Sequence, residues 1–178
     1  MSTEFPILYI SLLLVLLSAA AVVIVRQVLK TQNVESALSR LQKKLGKEKG
    51  TSQEYFELGS IYLNKRVYAQ AIAQFQKALK AEDLPEAESS LVYNALGYAY
   101  FAQEQYDLAI RNYKEALKID PEYVTAFNNL GHAYERKQLT AQALEVYEQA
   151  LAIKPENQTA KRRAESLRKR FVSPASSN

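Results

Sequence analysis

The pattern of apolar and polar positions divides the chain into three regimes. Residues 7–25 read ILYISLLLVLLSAAAVVIV, 19 positions without a charge and without a polar face. At about 1.5 Å of rise per residue this helix reaches roughly 30 Å, the thickness of a bilayer core. A helix meets its own backbone hydrogen-bonding needs, so such a run can cross lipid. Next, Val34, Leu38, Leu41 and Leu45 recur at spacings of 4, 3 and 4, a single stripe on a helix surrounded by lysines. From residue 52 onward the pattern becomes amphipathic and repeats itself.

The repeat is carried by fixed residues. Leu58-Gly59, Leu96-Gly97 and Leu130-Gly131 each begin the same spacing. An aromatic stands three residues before the leucine (Tyr55, Tyr93, Phe127), and a tyrosine three after the glycine (Tyr62, Tyr100, Tyr134). Alanines follow at Ala71, Ala109 and Ala143, aromatics at Phe75, Tyr113 and Tyr147, and alanines again at Ala78, Ala116 and Ala150. Asp120-Pro121-Glu122 and Lys154-Pro155-Glu156 close the second and third units.

This spacing resembles the tetratricopeptide repeat (TPR) family, a 34-residue helical hairpin, across residues 52–157. The resemblance implies an all-α, TPR-type helical-hairpin solenoid with three repeats at 52–85, 90–123 and 124–157. No hairpin buries its apolar face alone, so stacking supplies the core. Small residues at the glycine and alanine positions let helices approach, and aromatics fill the gaps. The first unit departs from the pattern: Gly59 to Gly97 spans 38 residues, and Asp83 stands where proline is expected. A longer turn or an earlier helix start near Pro85 accommodates the extra four residues. Ala160, Ala164, Leu167 and Phe171 form a further stripe, a capping helix over 158–171. Residues 1–6 read as a short tail, and 172–178 (VSPASSN) as a disordered one.

Charge sharpens the picture of the anchor. The 7–25 run lacks a basic n-region, since Glu4 is the one charge before it, and it exceeds a typical signal-peptide core in length; both favour a retained transmembrane helix over a cleaved signal. Residues 26–50 hold seven basic residues against two acidic ones, with Arg26 and Lys30 at the end of the run. The positive-inside rule then places 26–178 on the cytoplasmic or stromal side. The 26–50 segment reads as a basic juxtamembrane helix or stalk in which Lys43, Lys44 and Lys47 touch anionic headgroups, with Gly46 and Gly50 permitting a bend. Residues 51–157 carry 15 acidic against 10 basic residues, and 158–178 six basic against Glu165. An acidic binding region between basic ends argues against nucleic acid as a ligand.

Composition removes most chemistry. There is no cysteine and one histidine, His132, so thiol catalysis, thiolate metal sites and multi-histidine metal sites are excluded. No glycine-rich phosphate loop is present. The expectation is a protein that is not an enzyme, takes no cofactor and no small-molecule substrate, and binds protein partners. His132 reads as a surface polar residue.

By the TPR resemblance, ligand-facing positions lie on the first helix of each hairpin. They are Gln53, Phe56, Ser60 and Leu63, then Leu91, Asn94, Tyr98 and Phe101, then Thr125, Asn128, His132 and Glu135. The candidate groove is drawn from Phe56, Ser60, Leu63, Asn94, Tyr98, Phe101, Asn128, His132 and Glu135. Asn94 and Asn128 are suited to bond a peptide backbone, because a carboxamide both donates and accepts. The clamp for chaperone tails that the family uses elsewhere is missing, with Phe56, Ser60, Thr125 and Asn129 at its positions. One span, a basic stalk, three repeats and a basic tail together resemble the membrane-anchored TPR proteins of cyanobacteria and plastids that assist photosystem I assembly. That resemblance implies a scaffold for photosystem I subunits in the thylakoid membrane. A TPR scaffold of the envelope or of secretion, facing the periplasm, is the alternative.

Overall fold

The computed structural model describes residues 4–172. Of the expected tails at 1–6 and 172–178, residues 1–3 and 173–178, like the side chain of Phe171, lie outside the described residues, whereas 4–6 and 172 belong to the first and last helices. Eight helices occur among the described residues, and no strand does. They fall into two compact units, 1–48 and 49–178.

The first unit holds α1 (Glu4–Leu45), 42 residues in one run. The sequence divides this region into a span and a stalk, but the helix continues through both. The reason lies in residues 7–45, which contain neither proline nor glycine to break the ladder of backbone hydrogen bonds. Gly46 is the first glycine, and the helix ends just before it. Lys43 and Lys44 in the last turn face the negative end of the helix dipole. α1 is long and apolar enough to cross a bilayer.

The second unit is a run of helical hairpins closed by a single helix. α2 (Ser52–Asn64) pairs with α3 (Tyr68–Leu79), α4 (Glu86–Ala102) with α5 (Tyr106–Ile119), and α6 (Val124–Arg136) with α7 (Thr140–Ile153). α8 (Gln158–Val172) packs on α7. α2 starts at a capping box: Thr51 Oγ1 accepts the Glu54 N–H, and Glu54 accepts the Thr51 N–H, at 3.2 and 3.1 Å. Both Asp83 carboxylate oxygens receive the Ser52 N–H, at 3.0 and 3.1 Å. The aspartate that replaces the closing proline thus ties the end of the first hairpin back to its beginning. The extra four residues extend α4, whose start lies 11 residues before Gly97, whereas α2 and α6 start 7 residues before Gly59 and Gly131.

The core repeats with the sequence. Phe75, Tyr113 and Tyr147 are buried, each lying against the glycine of its own hairpin, and Ala71, Ala109 and Ala143 are fully enclosed. Ala160, Ala164 and Leu167 of α8 are buried as well, so the last hairpin is covered. The Asn157 side chain accepts the Ala160 N–H at 2.9 Å and caps the start of α8. Arg168 reaches Glu148 at 2.7 Å and pins α8 to α7.

Each first helix ends in the same turn. Arg66, Glu104 and Gln138 have φ near 60°. The N–H groups of Val67, Gln105 and Leu139 bond back to the carbonyls of Tyr62, Tyr100 and Tyr134 at 2.8–3.0 Å. This closing bond is that of a helix end that ordinarily uses glycine. A side chain in the left-handed region costs roughly 1–2 kcal/mol. Gln138→Gly therefore stabilises the array by about 1 kcal/mol after the entropy glycine adds to the unfolded chain. Urea titration followed by circular dichroism reads the shift in midpoint; a lower midpoint would show that the turn needs the side chain.

Candidate protein-binding groove

Besides its hairpin partners, α2 meets α4 and α4 meets α6. The first helices of the hairpins are therefore neighbours, and Asn94 meets Asn129 and Phe101 meets His132 between α4 and α6.

The surroundings of the positions named from the sequence differ. Phe56 is half-buried, its ring 5.7 Å from that of Phe75. Ser60 and Leu63 are also half-buried. On α4, Leu91 and Tyr98 are 47% and 48% exposed, the two large apolar side chains most open among the described residues of the hairpins. Phe101 is tucked in: its ring lies 5.4 Å from Tyr106 and 4.8 Å from His132, and it packs against the core.

The polar positions are largely engaged with neighbours. Asn94 donates to the Tyr123 hydroxyl at 3.2 Å and accepts from the Asn129 carboxamide at 2.9 Å. Its amide links α4 to the turn before α6 and to α6 itself, so less of it remains for a ligand than the sequence alone implies. Burial raises the Tyr123 hydroxyl pKa above its ordinary value, the bond from Asn94 works against this, and Asp120 adds to it. Glu135 accepts from the Tyr147 hydroxyl at 2.8 Å and lies 3.6 Å from Arg163 of α8. Asn128 keeps its carboxamide oxygen buried without a hydrogen-bond partner, as Gln74 does. Thr125 and Gln53 are exposed.

His132 is half-buried against Phe101 rather than a freely solvated polar group. Burial lowers its pKa below the ordinary 6.5; Arg163 and Arg136 lower it further, while Glu135 opposes them. The sign follows from linkage. The unfolded chain takes up a proton near 6.5 that the folded one refuses until lower pH, so His132 supports stability above that value. That contribution is lost as the pH falls from 6.5 toward the folded pKa. A histidine ring titration by NMR should give a midpoint below 6.5 in the folded protein, and His132→Gln should flatten the fall in stability across that window. A midpoint at or above 6.5 would contradict the packing described.

Two grooves lie between second helices. One, of about 550 Å³, runs between α5 and α7 over Phe127, Leu130 and Tyr134. The other, of about 380 Å³, lies in the corresponding place over Tyr93, Leu96 and Tyr100. Lys114 stands above the Tyr134 ring at 5.8 Å.

Several of these partners were not visible as a pattern. Asn129 and Tyr123, which bind Asn94, sit at positions that the repeat spacing does not mark. Arg163 had a signal in the basic face of α8, but nothing in the sequence aims it at Glu135. Leu91 stands among the ligand-facing positions but outside the candidate groove, and the structure leaves it 47% exposed.

Comparison with known proteins agrees with this geometry. Tetratricopeptide repeat models match residues 55–83 and 124–157, and a TPR repeat model matches 97–138. The chain is 38% identical over 123 residues to the uncharacterized protein ycf37 of Cyanophora paradoxa, covering 69% of this chain and 70% of that protein. It is 35% identical over 119 residues to the tetratricopeptide repeat domain-containing protein PYG7, chloroplastic, of Arabidopsis thaliana, covering 67% of this chain and 40% of that one. Among solved structures, MamA superposes with a TM-score of 0.73 at 22% identity, covering 80% of this chain and 81% of its own, a likeness of fold.

Proposed function

The chain belongs to the tetratricopeptide repeat family, and on that premise we propose that it is a membrane-tethered scaffold that binds subunits of a membrane complex and assists photosystem I assembly or stability. Its helical hairpins form a protein-interaction module, the coarser part of this reading. One observation supports reading the inner face as the binding surface: Leu91 and Tyr98 stand exposed on α4, whereas the other large apolar groups of the array are mostly enclosed. Clustered exposed apolar groups on such a face mark a place where another protein excludes water.

The tether is α1. A helix with this apolar stretch holds the repeats at the membrane, which raises their effective concentration toward a partner embedded there. Arg26 and Lys30 at the end of the run orient it with the repeats on the cytoplasmic or stromal side. If α1 crosses upright, Lys43 lies 18 residues beyond residue 25, about 27 Å along the axis. Screening acts within about 8 Å at physiological salt. Headgroup contact therefore falls to Arg26, and Lys43, Lys44 and Lys47 stand in the aqueous phase.

The assignment to photosystem I draws on the layout of anchor, stalk, three repeats and tail. A chloroplastic relative is in keeping with it. The scheme uses no catalytic group and no cofactor. Tyr98→Ala tests the groove: capture of the membrane partner should fall by roughly tenfold or more, as for a central aromatic anchor. The unfolding free energy should stay within about 0.5 kcal/mol, because the ring is half exposed. Unchanged capture would place recognition elsewhere.

A further inference from the structure

The four residues that lengthen the first repeat have a structural product. Aligning the hairpins on their glycines places Ser90 opposite Ser52, and both are buried. Residues 86–89 therefore form one additional turn at the start of α4, lifting it about 6 Å past the start of α2. A cleft of about 280 Å³ opens beside that turn, walled by Phe56 of α2 and by Leu84, Leu91 and Val92. Ser52, Gln53 and Glu88 complete its lining.

Two properties define what fits. The cleft is apolar on one part, formed by Phe56, Leu84, Leu91 and Val92, and polar on the other, formed by Ser52, Gln53 and Glu88, and its space admits one large side chain and excludes a packed helix. The rim is acidic: Glu82, Asp83, Glu86 and Glu88 fall within seven residues that contain no basic one. Lys49 pairs with Glu82 at 3.3 Å, and Asp83 is held by the Ser52 N–H. Glu86 and Glu88 are exposed in the first turn of α4, and Glu88 lines the cleft itself.

We propose that this cleft, built by the four-residue insertion, seats one bulky apolar side chain of the protein partner that is flanked by lysine or arginine. The apolar group fills the space between Phe56 and Leu91, and the cationic neighbours meet Glu88 and Glu86. The proposal rests on the reading of the inner face as a protein-binding surface and adds the chemistry of the segment bound. It also gives the longer first repeat a purpose, since a standard repeat length would leave α4 level with α2 and remove the Glu88 wall.

The test uses the full chain in detergent and three fluorescein-labelled peptides in one Gly-Ser host, with Lys-Phe-Lys, Glu-Phe-Glu or Lys-Ala-Lys at the centre. Fluorescence anisotropy at low and high salt gives their relative affinities. The Lys-Phe-Lys peptide should bind about three- to fivefold tighter than Glu-Phe-Glu at low salt, the scale of a rim charge pair, with the difference shrinking at high salt. Lys-Ala-Lys should bind more weakly than Lys-Phe-Lys. Glu88→Lys should erase or invert the charge preference, and Leu84→Ala should weaken both phenylalanine peptides, with circular dichroism verifying that each variant folds. Equal binding of the three peptides, or a preference untouched by Glu88→Lys, overturns the proposal. An oligomer in sedimentation that Glu88→Lys dissociates, without a peptide preference, would assign the cleft to a second copy and overturn it too. Capture from native membranes separates the two readings. Loss with Tyr98→Ala and no change in peptide preference with Glu88→Lys leaves the scaffold standing and removes the cleft. A peptide preference that Glu88→Lys abolishes, with capture indifferent to Tyr98→Ala, does the reverse.

Discussion

Tyr113→Ala lowers the unfolding free energy of the array by about 3–5 kcal/mol, the range for truncating a fully enclosed aromatic. The ring is 1% exposed and lies in the middle hairpin, against Gly97 of α4 and within the core that reaches α8. Removing it empties a space bounded by two helices that are themselves held by their neighbours, so collapse is limited. Position matters as well as size. In a stacked array each unit is stabilised by its interfaces on both sides, and the middle unit supports two of them. Its hydroxyl, pushed well above the ordinary tyrosine pKa by burial, stays protonated throughout the working range and adds no titration of its own. Urea titration of the full chain gives the loss; a change below about 1 kcal/mol, the scale of an ordinary substitution, would mean that the ring is not enclosed in solution.

Gly97→Ala is expected to destabilise by about 1–3 kcal/mol, although alanine is the better helix former by about 1 kcal/mol. A methyl group built on Gly97 would sit 2.7 Å from Cε1 and 2.8 Å from Cδ1 of Tyr113. Those distances are well inside van der Waals contact, and a ring enclosed on all sides cannot swing away. Combining the two substitutions gives the sharper result. With Tyr113 already reduced to alanine the obstruction is gone, so Gly97→Ala becomes neutral or stabilising in that background. The two changes then show strong coupling, of order 1–3 kcal/mol. Strict additivity would indicate that Gly97 matters for another reason. Gly59 and Gly131 stand in the same relation to Phe75 and Tyr147, with approaches of 2.6 Å in both.

These glycine and aromatic positions are what made the fold legible. A helix contact that only glycine permits leaves a mark in sequence, because no other residue satisfies it. Hence Leu58-Gly59, Leu96-Gly97 and Leu130-Gly131 located all three hairpins. The capping helix was readable for a related reason: Ala160, Ala164 and Leu167 keep helical spacing although seven of the other twelve residues of α8 are charged. The turns that end α2, α4 and α6 were not readable. They place Arg66, Glu104 and Gln138 in the left-handed region, where glycine would have announced them. Exposed side chains of almost any kind survive there once the flanking helices fix the geometry. The continuity of α1 was missed because the change from apolar to basic composition at Arg26 looks like a boundary, yet composition does not interrupt a backbone ladder. For the proposed groove, residue type does not say which side chains remain free. Asn94 and Glu135 are committed to Tyr123, Asn129, Tyr147 and Arg163 through contacts across helices that no local spacing encodes.

Buried aromatics and glycines hold the array, engaged polar groups fix the relation of one first helix to the next, and the exposed apolar side chains of α4 are proposed to meet a partner. The most direct test is an affinity purification of the full-length, detergent-solubilised protein from its native membranes, beside a form lacking residues 1–25 and the Tyr98→Ala variant. The account predicts photosystem I subunits enriched with the full-length protein, retained when the truncated form is offered the same extract, and reduced with Tyr98→Ala. Enrichment of envelope or secretion components with no photosystem subunit would contradict it.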